Sequence, residues 1–310
     1  SKGLEPEFSR QTMDQVATMA TAAPLDPSST DLRSFLWCSI DNDDSKDLDQ
    51  LTYAEKGSDG KTTLWIAVAD VDALVKKDSP VDLHAQMNTT SVYTPAIIFS
   101  MLPVKLSTNL TSLNENEERM AMVVKVEIDA AGEIQNSTIF PAAVHNKVQL
   151  TYRAVGKWLE EGSAVPDKVK KVPGLEENLK IQHAAAQLMR QSRYKAGSLT
   201  LDSPNAEVKL NSDNKIVMEL PPHNFAHQLI EEFMIAANRS MAHHFSEAKV
   251  ASLRRVVRTP KFWERIVEVA SGFGEEIPKY PDAIALNEFL IQRKKSDPDS
   301  FPDLSLVIIK

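Results

Sequence analysis

A single cysteine, Cys38, stands in a chain of 310 residues. One thiol excludes an internal disulfide framework and fits a reducing cytoplasm. No apolar run reaches the length of a membrane span. The N-terminus, Ser1-Lys2-Gly3-Leu4-Glu5-Pro6, carries no apolar signal-peptide core. A cytoplasmic protein with no membrane and no disulfide partner is expected. Asn-X-Ser/Thr triplets such as Asn109-Leu110-Thr111 then read as chance matches. An excess of basic charge is also missing. A net charge of −8, taken alone, argues against a nucleic-acid binder, because phosphate contact needs a basic footprint. A local basic groove on an acidic protein would still permit one. Internal repeats and low-complexity tracts are lacking too.

What is present supports a folded domain. Hydrophobic residues make up 42% of the chain, enough for a substantial core. The length suits one large domain or two smaller ones. Residues 1–34 are polar and broken by proline, and read as a lead-in or linker segment with one short amphipathic helix near 13–21. From 35 to 71 the pattern predicts two strands around an acidic loop, then a hairpin turning at Gly57-Ser58-Asp59-Gly60, with a return strand over 62–69. Residues 72–117 are mixed, with Pro80, Pro95 and Pro103 as breakers. A second hairpin is expected over 120–128 and 133–144. Helices are expected at 151–161 and 175–195, short strands within 199–220 turning at 211–214, and a long helix over 224–248. A strand at 253–257 and helices at 261–272 and 282–295 complete the pattern. Strands come first and helices follow with strands interspersed, which is an α+β order.

The acidic loop says most about chemistry. Asp41, Asp43, Asp44, Asp47 and Asp49 place five carboxylates in nine residues, between apolar Phe35-Leu36-Trp37-Cys38 and strand-like Leu51-Thr52-Tyr53. Packed like charges raise one another's pKa. A solvated turn relieves this by spreading out. A loop pinned between strands cannot, and calls for a cation. Oxygen ligands without His or Cys suit Mg²⁺, Mn²⁺ or Ca²⁺ rather than zinc. An EF-hand is excluded, because its sixth position holds Lys46 instead of glycine and its twelfth Thr52 instead of glutamate. Asp47 and Asp49, at i and i+2, project to one side of an extended chain. Asp41 can reach the same point. Three carboxylates converging on a metal is a geometry that metal-assisted phosphodiester hydrolysis uses.

Other clusters have plainer readings. His223 and His227 share the i, i+4 spacing of a zinc protease but lack its glutamate, and read as ordinary residues at a helix start. His243-His244 reads as a polar patch near that helix's end. Lys168–Lys171 and Arg293-Lys294-Lys295 read as solvated faces. In residues 229–238, Glu231 reads as solvent-facing. Glu232, between Ile230 and Phe233, borders the core or lines a cleft. Strand alternation could put Arg254 and Arg258 on one face. Tyr93, Tyr152 and Trp158 are candidate stacking aromatics.

The pattern Ile-Asp-x5-Asp-x-Asp at 40–49, followed by an apolar strand ending Ala69-Asp70-Val71, resembles the catalytic RNB domain of the ribonuclease II/R family. Further matches follow in the family's order: Ser91-Val92-Tyr93-Thr94-Pro95, Met101-Leu102-Pro103, Leu106-Ser107, Ser112-Leu113, Glu118-Arg119-Met120-Ala121, Tyr152 with Trp158-Leu159-Glu160, residues 229–238, Leu253-Arg254-Arg255-Val256 and Pro302-Asp303-Leu304. The resemblance spans residues 35–310. It implies a mixed, mainly antiparallel sheet flanked by helices. It also implies a 3′→5′ exoribonuclease that degrades single-stranded RNA processively to nucleoside 5′-monophosphates with Mg²⁺, or alternatively Mn²⁺. Asp41, Asp47 and Asp49 would form the metal and catalytic cluster. Tyr93 would stack on the terminal base, Tyr152 would position the last nucleotide, and Glu232 would meet its ribose. Arg119 and Arg255, in matching segments, would contact RNA. A monomer is expected.

Two departures from the family stand out. The fourth acidic position holds Gln50, whose amide oxygen can ligate but brings no charge and cannot act as a base. Asp43 or Asp44 would then be the substitute ligands. The family's later arginine signature and its flanking OB-type domains fall outside these 310 residues, so an incomplete RNB domain is expected over 35–310. Two other readings stay open: an RNB-derived RNA-binding or regulatory module without turnover, and a divalent-cation protein unrelated to RNA.

Overall fold

The computed structural model describes residues 3–94, 97–201, 207–210, 215–219, 224–254 and 260–309. The chain divides into two compact units. The larger contains residues 1–130, 134–186 and 223–244. It is built on a seven-stranded sheet: β1 (Thr30–Asp31), β2 (Cys38–Asp41), β3 (Gln50–Lys56), β4 (Thr62–Ala69), β7 (Glu118–Ile128), β8 (Ile134–His145) and β9 (Val148–Thr151). The remaining two strands of this unit, β5 (Val92–Tyr93) and β6 (Ile98–Phe99), pair with each other as a small hairpin. The spatial order is β1-β8-β7-β4-β3-β2-β9. The central neighbours run antiparallel, while β1 with β8 and β2 with β9 run parallel. The sheet is therefore mixed and mainly antiparallel, with helices α1 (Arg10–Thr18), α2 (Pro80–Asn88), α3 (Tyr152–Glu161), α4 (Asp167–Lys170), the first part of α5 (Leu175–Lys195) and most of α6 (Phe225–Glu247) in the same unit.

Local sequence explains the central ladder. Leu64, Ile66 and Ala67 of β4 are fully buried, as expected for a strand covered on both faces. Gly60 closes the β3–β4 turn at φ +83°, a conformation that glycine takes without a Cβ penalty. One core layer gathers Trp37, Leu51, Ala67, Val123 and Val144, with Phe35, Tyr53, Trp65 and Phe140 packed against it. Burying each large apolar side chain contributes about 1.5–3 kcal/mol, so Leu51→Ala would cost about 2–5 kcal/mol. Helix α5 docks on β3 partly through polar groups. The Thr52 hydroxyl donates to Gln182 Oε1 at 2.7 Å, and Asn178 Nδ2 donates to the Ala54 carbonyl at 2.8 Å. Buried polar groups require such partners.

Residues 3–34, within the segment expected as a lead-in or linker, are knit into this unit. Val16 of α1 is buried in a cluster with Val81 and Leu106, and Leu32 N–H donates to the Ala143 carbonyl. Helix α2 arises where Pro80 had been read as a breaker. Ser79 caps it and Pro80 opens it, the position where a missing N–H costs nothing.

The smaller unit contains residues 131–133, 187–222 and 245–310. Helices α7 (Trp263–Gly272), α8 (Ala283–Ser296) and α9 (Phe301–Ile309) surround a core of Trp263, Phe289, Leu290 and Phe301. Strands β10 (Glu207–Leu210) and β11 (Ile216–Glu219) form an antiparallel hairpin. The expected turn at 211–214 lies outside the described residues, as do residues 255–257 of the expected 253–257 strand. Gly132 belongs here, at φ +81°, where a Cβ would meet the Leu188 backbone at 2.3 Å. Only glycine fits that approach.

Candidate active site

The acidic loop joins β2 to β3. Strand β2 buries Cys38, Ser39 and Ile40 and brings half-buried Asp41 to its end. In the parallel register, Asp41 faces Thr151, the last residue of β9 and the cap of α3. The loop is held by groups far away in sequence. Ser112 Oγ accepts from Leu48 N–H at 2.9 Å and donates to the Lys46 carbonyl at 3.1 Å. Leu113 N–H donates to the Leu48 carbonyl, and Gln149 Nε2 donates to the Ser45 carbonyl at 3.0 Å. Leu48 is buried. With Leu48 turned into the core, Asp47 and Asp49 are left to project to the opposite side. Both keep solvent access, as do Asp43 and Asp44.

Electrostatics tie three carboxylates together. Burial pushes the Asp41 carboxyl up to about 7, and the charges of Asp49 and Asp47 add to the rise. Asp49 is raised as well, by the protein crowded around it and then by Asp47. The Tyr93 hydroxyl donates to Asp47 Oδ2 at 3.2 Å, while the residue is 65% exposed. The Tyr152 hydroxyl is raised by burial and by the charges of Asp41 and Asp49. Its ring stacks on His227 at 4.0 Å between centroids, 13° from parallel. Asn224 completes this corner. Its Nδ2 donates to the Tyr152 carbonyl at 2.9 Å, and its Oδ1 accepts from Ala226 and His227 N–H at the start of α6.

Gln50 is buried at 6% exposure. Its Nε2 lies 3.1 Å from Asp41 Oδ2 and 3.4 Å from the Ile40 carbonyl. Both neighbours are acceptors, so the amide nitrogen must face them. Gln50 is thus a donor that holds Asp41. Glu232 is 1% exposed on α6, while Glu231 is exposed. Arg119 is braced by Glu117, by the Asn109 carbonyl and by the Glu118 carbonyl. Among the described residues, no hydrogen bond or ion pair joins it to the acidic loop. Arg255 and His223 lie outside the described residues.

The donors fit a hard divalent cation. They are carboxylate oxygens, and the raised Asp41 and Asp49 carboxyls mark a site where negative charge is poorly compensated. Among the described residues, no three His, Cys, Asp or Glu side chains are gathered into a ready-made metal cage. The fit therefore rests on donor type and shared electrostatics. Reasoning from sequence located the three aspartates and Tyr93 but missed Ser112, Gln149 and Asn224 as supports. It also gave His227 only a plain helix-start reading. Nothing local in the sequence marks Ser112 and Gln149 as neighbours of the loop, or Asn224 and His227 as neighbours of Tyr152.

Comparison with known proteins agrees with this fold. Among the described residues no helix is long and apolar enough to cross a membrane. The chain is 32% identical over 258 residues to Ribonuclease R of Vibrio cholerae serotype O1, covering 82% of this chain and 31% of that protein. It therefore spans about a third of that relative's length. A solved structure of Mycoplasma genitalium RNase R in complex with double-stranded RNA matches with a TM-score of 0.85 at 23% identity, over 99% of this chain and 55% of that one. Yeast Ssd1, described as a pseudonuclease, matches with a TM-score of 0.71 at 16% identity, over 98% of this chain and 37% of that one. One fold thus serves a ribonuclease and a pseudonuclease, and activity has to be argued from the site. The model of the RNB domain matches residues 29–310, and the chain belongs to that family.

Proposed function

We propose that this chain carries the catalytic centre of a 3′→5′ exoribonuclease, which degrades single-stranded RNA processively to nucleoside 5′-monophosphates. The observation that carries the reading is the coupled trio Asp41, Asp47 and Asp49 at the β2–β3 end of the sheet. These three would hold Mg²⁺ or Mn²⁺. Such an ion supplies Lewis acidity toward water and phosphate oxygen when bound. The rest falls to the protein's own groups. Gln50 orients Asp41, and the Tyr93 hydroxyl orients Asp47. The exposed Tyr93 ring offers a stacking face, the sequence-tolerant grip on single strands. Tyr152, with one face seated on His227, would position the last nucleotide. Glu232 would meet the ribose 2′-hydroxyl, which separates RNA from DNA. A cytoplasmic setting accords with the single buried thiol.

The test is release of labelled mononucleotide from 3′-labelled single-stranded RNA in Mg²⁺, with Asp49→Asn inactive. Unchanged cleavage by Asp49→Asn would remove the role given to the trio. One observation favours a second reading, an RNA-binding module without turnover: Gln50 contributes a donor rather than a fourth carboxylate. That reading predicts salt-sensitive RNA binding and no Mg²⁺-stimulated release.

A further inference from the structure

We propose that Arg153 is a phosphate-contact residue of this site, paired with Asp43 when no RNA is bound and exchanged onto the RNA backbone when it arrives. The inference rests on the RNA reading above. Five carboxylates in the loop repel a phosphodiester, so a strand needs a cation beside them. Among the described residues, the loop makes one ion pair, Arg153 Nη2 to Asp43 Oδ2 at 3.1 Å. Arg153 is rooted in the right place. It follows Tyr152, and Thr151, two positions before it, is the register partner of Asp41.

The pair is a poor candidate for a structural anchor. Its two side chains are 71% and 50% exposed, and exposed pairs of this kind contribute little to stability. The loop is already fixed by Ser112, Leu113 and Gln149. A guanidinium, by contrast, matches a phosphate with two parallel N–H donors. The exchange replaces one anion by another, so the cation is never left unpaired. Asp43 returns to water as an ordinary solvated carboxylate. Asp43 therefore acts as a competitor of RNA for Arg153. No cleavage step is involved, and the ligand class is the phosphodiester backbone of a single strand.

The opposed roles of the two partners make the proposal testable by binding alone. Fluorescent oligo(A) is titrated with the protein in EDTA, at several salt concentrations. Arg153→Ala should weaken binding about five- to tenfold and flatten the slope of log K against log salt by about 0.7, the value for one phosphate contact on a single strand. Arg153→Lys should fall between. Asp43→Asn should bind about two- to fivefold more tightly, because the competitor is gone. The double variant should behave as Arg153→Ala. Equal weakening by Asp43→Asn and Arg153→Ala with an unchanged salt slope would mean that the pair only braces the loop, which overturns the inference. So would wild-type binding that Arg153→Ala leaves intact. A wild-type protein that binds no oligo(A) overturns the RNA reading itself, and this inference with it.

Discussion

Replacing Gly156 by alanine should loosen the corner where Tyr152 meets α6. Gly156 lies inside α3, where alanine is normally the better residue by about 1 kcal/mol. Here a Cβ would come within 2.2 Å of Asn224 Cγ and Nδ2 and 2.6 Å of Oδ1. Asn224 must then move. Its Oδ1 cap on Ala226 and His227 N–H is worth about 1 kcal/mol. Its Nδ2 bond to the Tyr152 carbonyl is worth about another. Crowding in a packed region adds about 1–3 kcal/mol. Against the propensity gain, the net loss is about 2–4 kcal/mol. Urea unfolding of four proteins isolates the cause: wild type, Gly156→Ala, Asn224→Ala and the double variant. In the Asn224→Ala background the clash partner is absent, so Gly156→Ala should become neutral or stabilising by about 0.5–1 kcal/mol. A cost of the same size in both backgrounds would refute the reasoning.

Two further outcomes follow from the titrating groups. The Asp41 carboxyl sits at about 7, above its ordinary 3.8, and must lose its proton to bind a metal. Mn²⁺ affinity, followed by electron paramagnetic resonance, should therefore rise with pH by up to about tenfold per unit for each proton released, and level off above pH 7. In metal-free protein the same group binds its proton more tightly folded than unfolded. Its contribution to stability falls as pH rises from about 4 to about 7, so stabilisation by Mg²⁺ should be greatest above pH 7. An affinity flat across that window would contradict this. The Cys38 thiol is fully buried and pushed up to about 12. It should resist a disulfide reagent at pH 8 in the folded protein and react with one equivalent after denaturation; fast reaction of the folded protein would contradict the buried placement.

The parts of the fold that were legible are those with local causes. Strand β4 was expected at its observed bounds because an apolar run follows a Gly-Ser-Asp-Gly turn. Helices α3, α5 and α6 followed from helical spacing of apolar residues. Helix α2 was hidden because Pro80 can break a helix or open one, and only Ser79 in its capping position decides. Helix α9 was missed because its short apolar run carries no clear periodic face. Strand β9 falls between the expected hairpin ending at 144 and the expected helix from 151, where no element was assigned, although its parallel pairing with β2 sets Asp41 opposite Thr151. At the site, charge density alone announced the loop. Its supports were illegible, since Ser112, Gln149 and Asn224 meet their partners through contacts 64 to 104 residues apart. Gln50 was read as a weak ligand. Only the neighbouring Ile40 carbonyl shows which way its amide points.

Under the proposed function, the Asp41, Asp47 and Asp49 site removes nucleotides from the 3′ end of a strand. The most direct measurement follows one single-stranded RNA labelled separately at each end, incubated with the protein in Mg²⁺, with every product identified by chromatography. The 3′ label should appear first, as a nucleoside 5′-monophosphate, while the 5′-labelled strand shortens from its far end. Release of nucleoside 3′-phosphates, or an internal cut that gives two long fragments each keeping one labelled end, would contradict it.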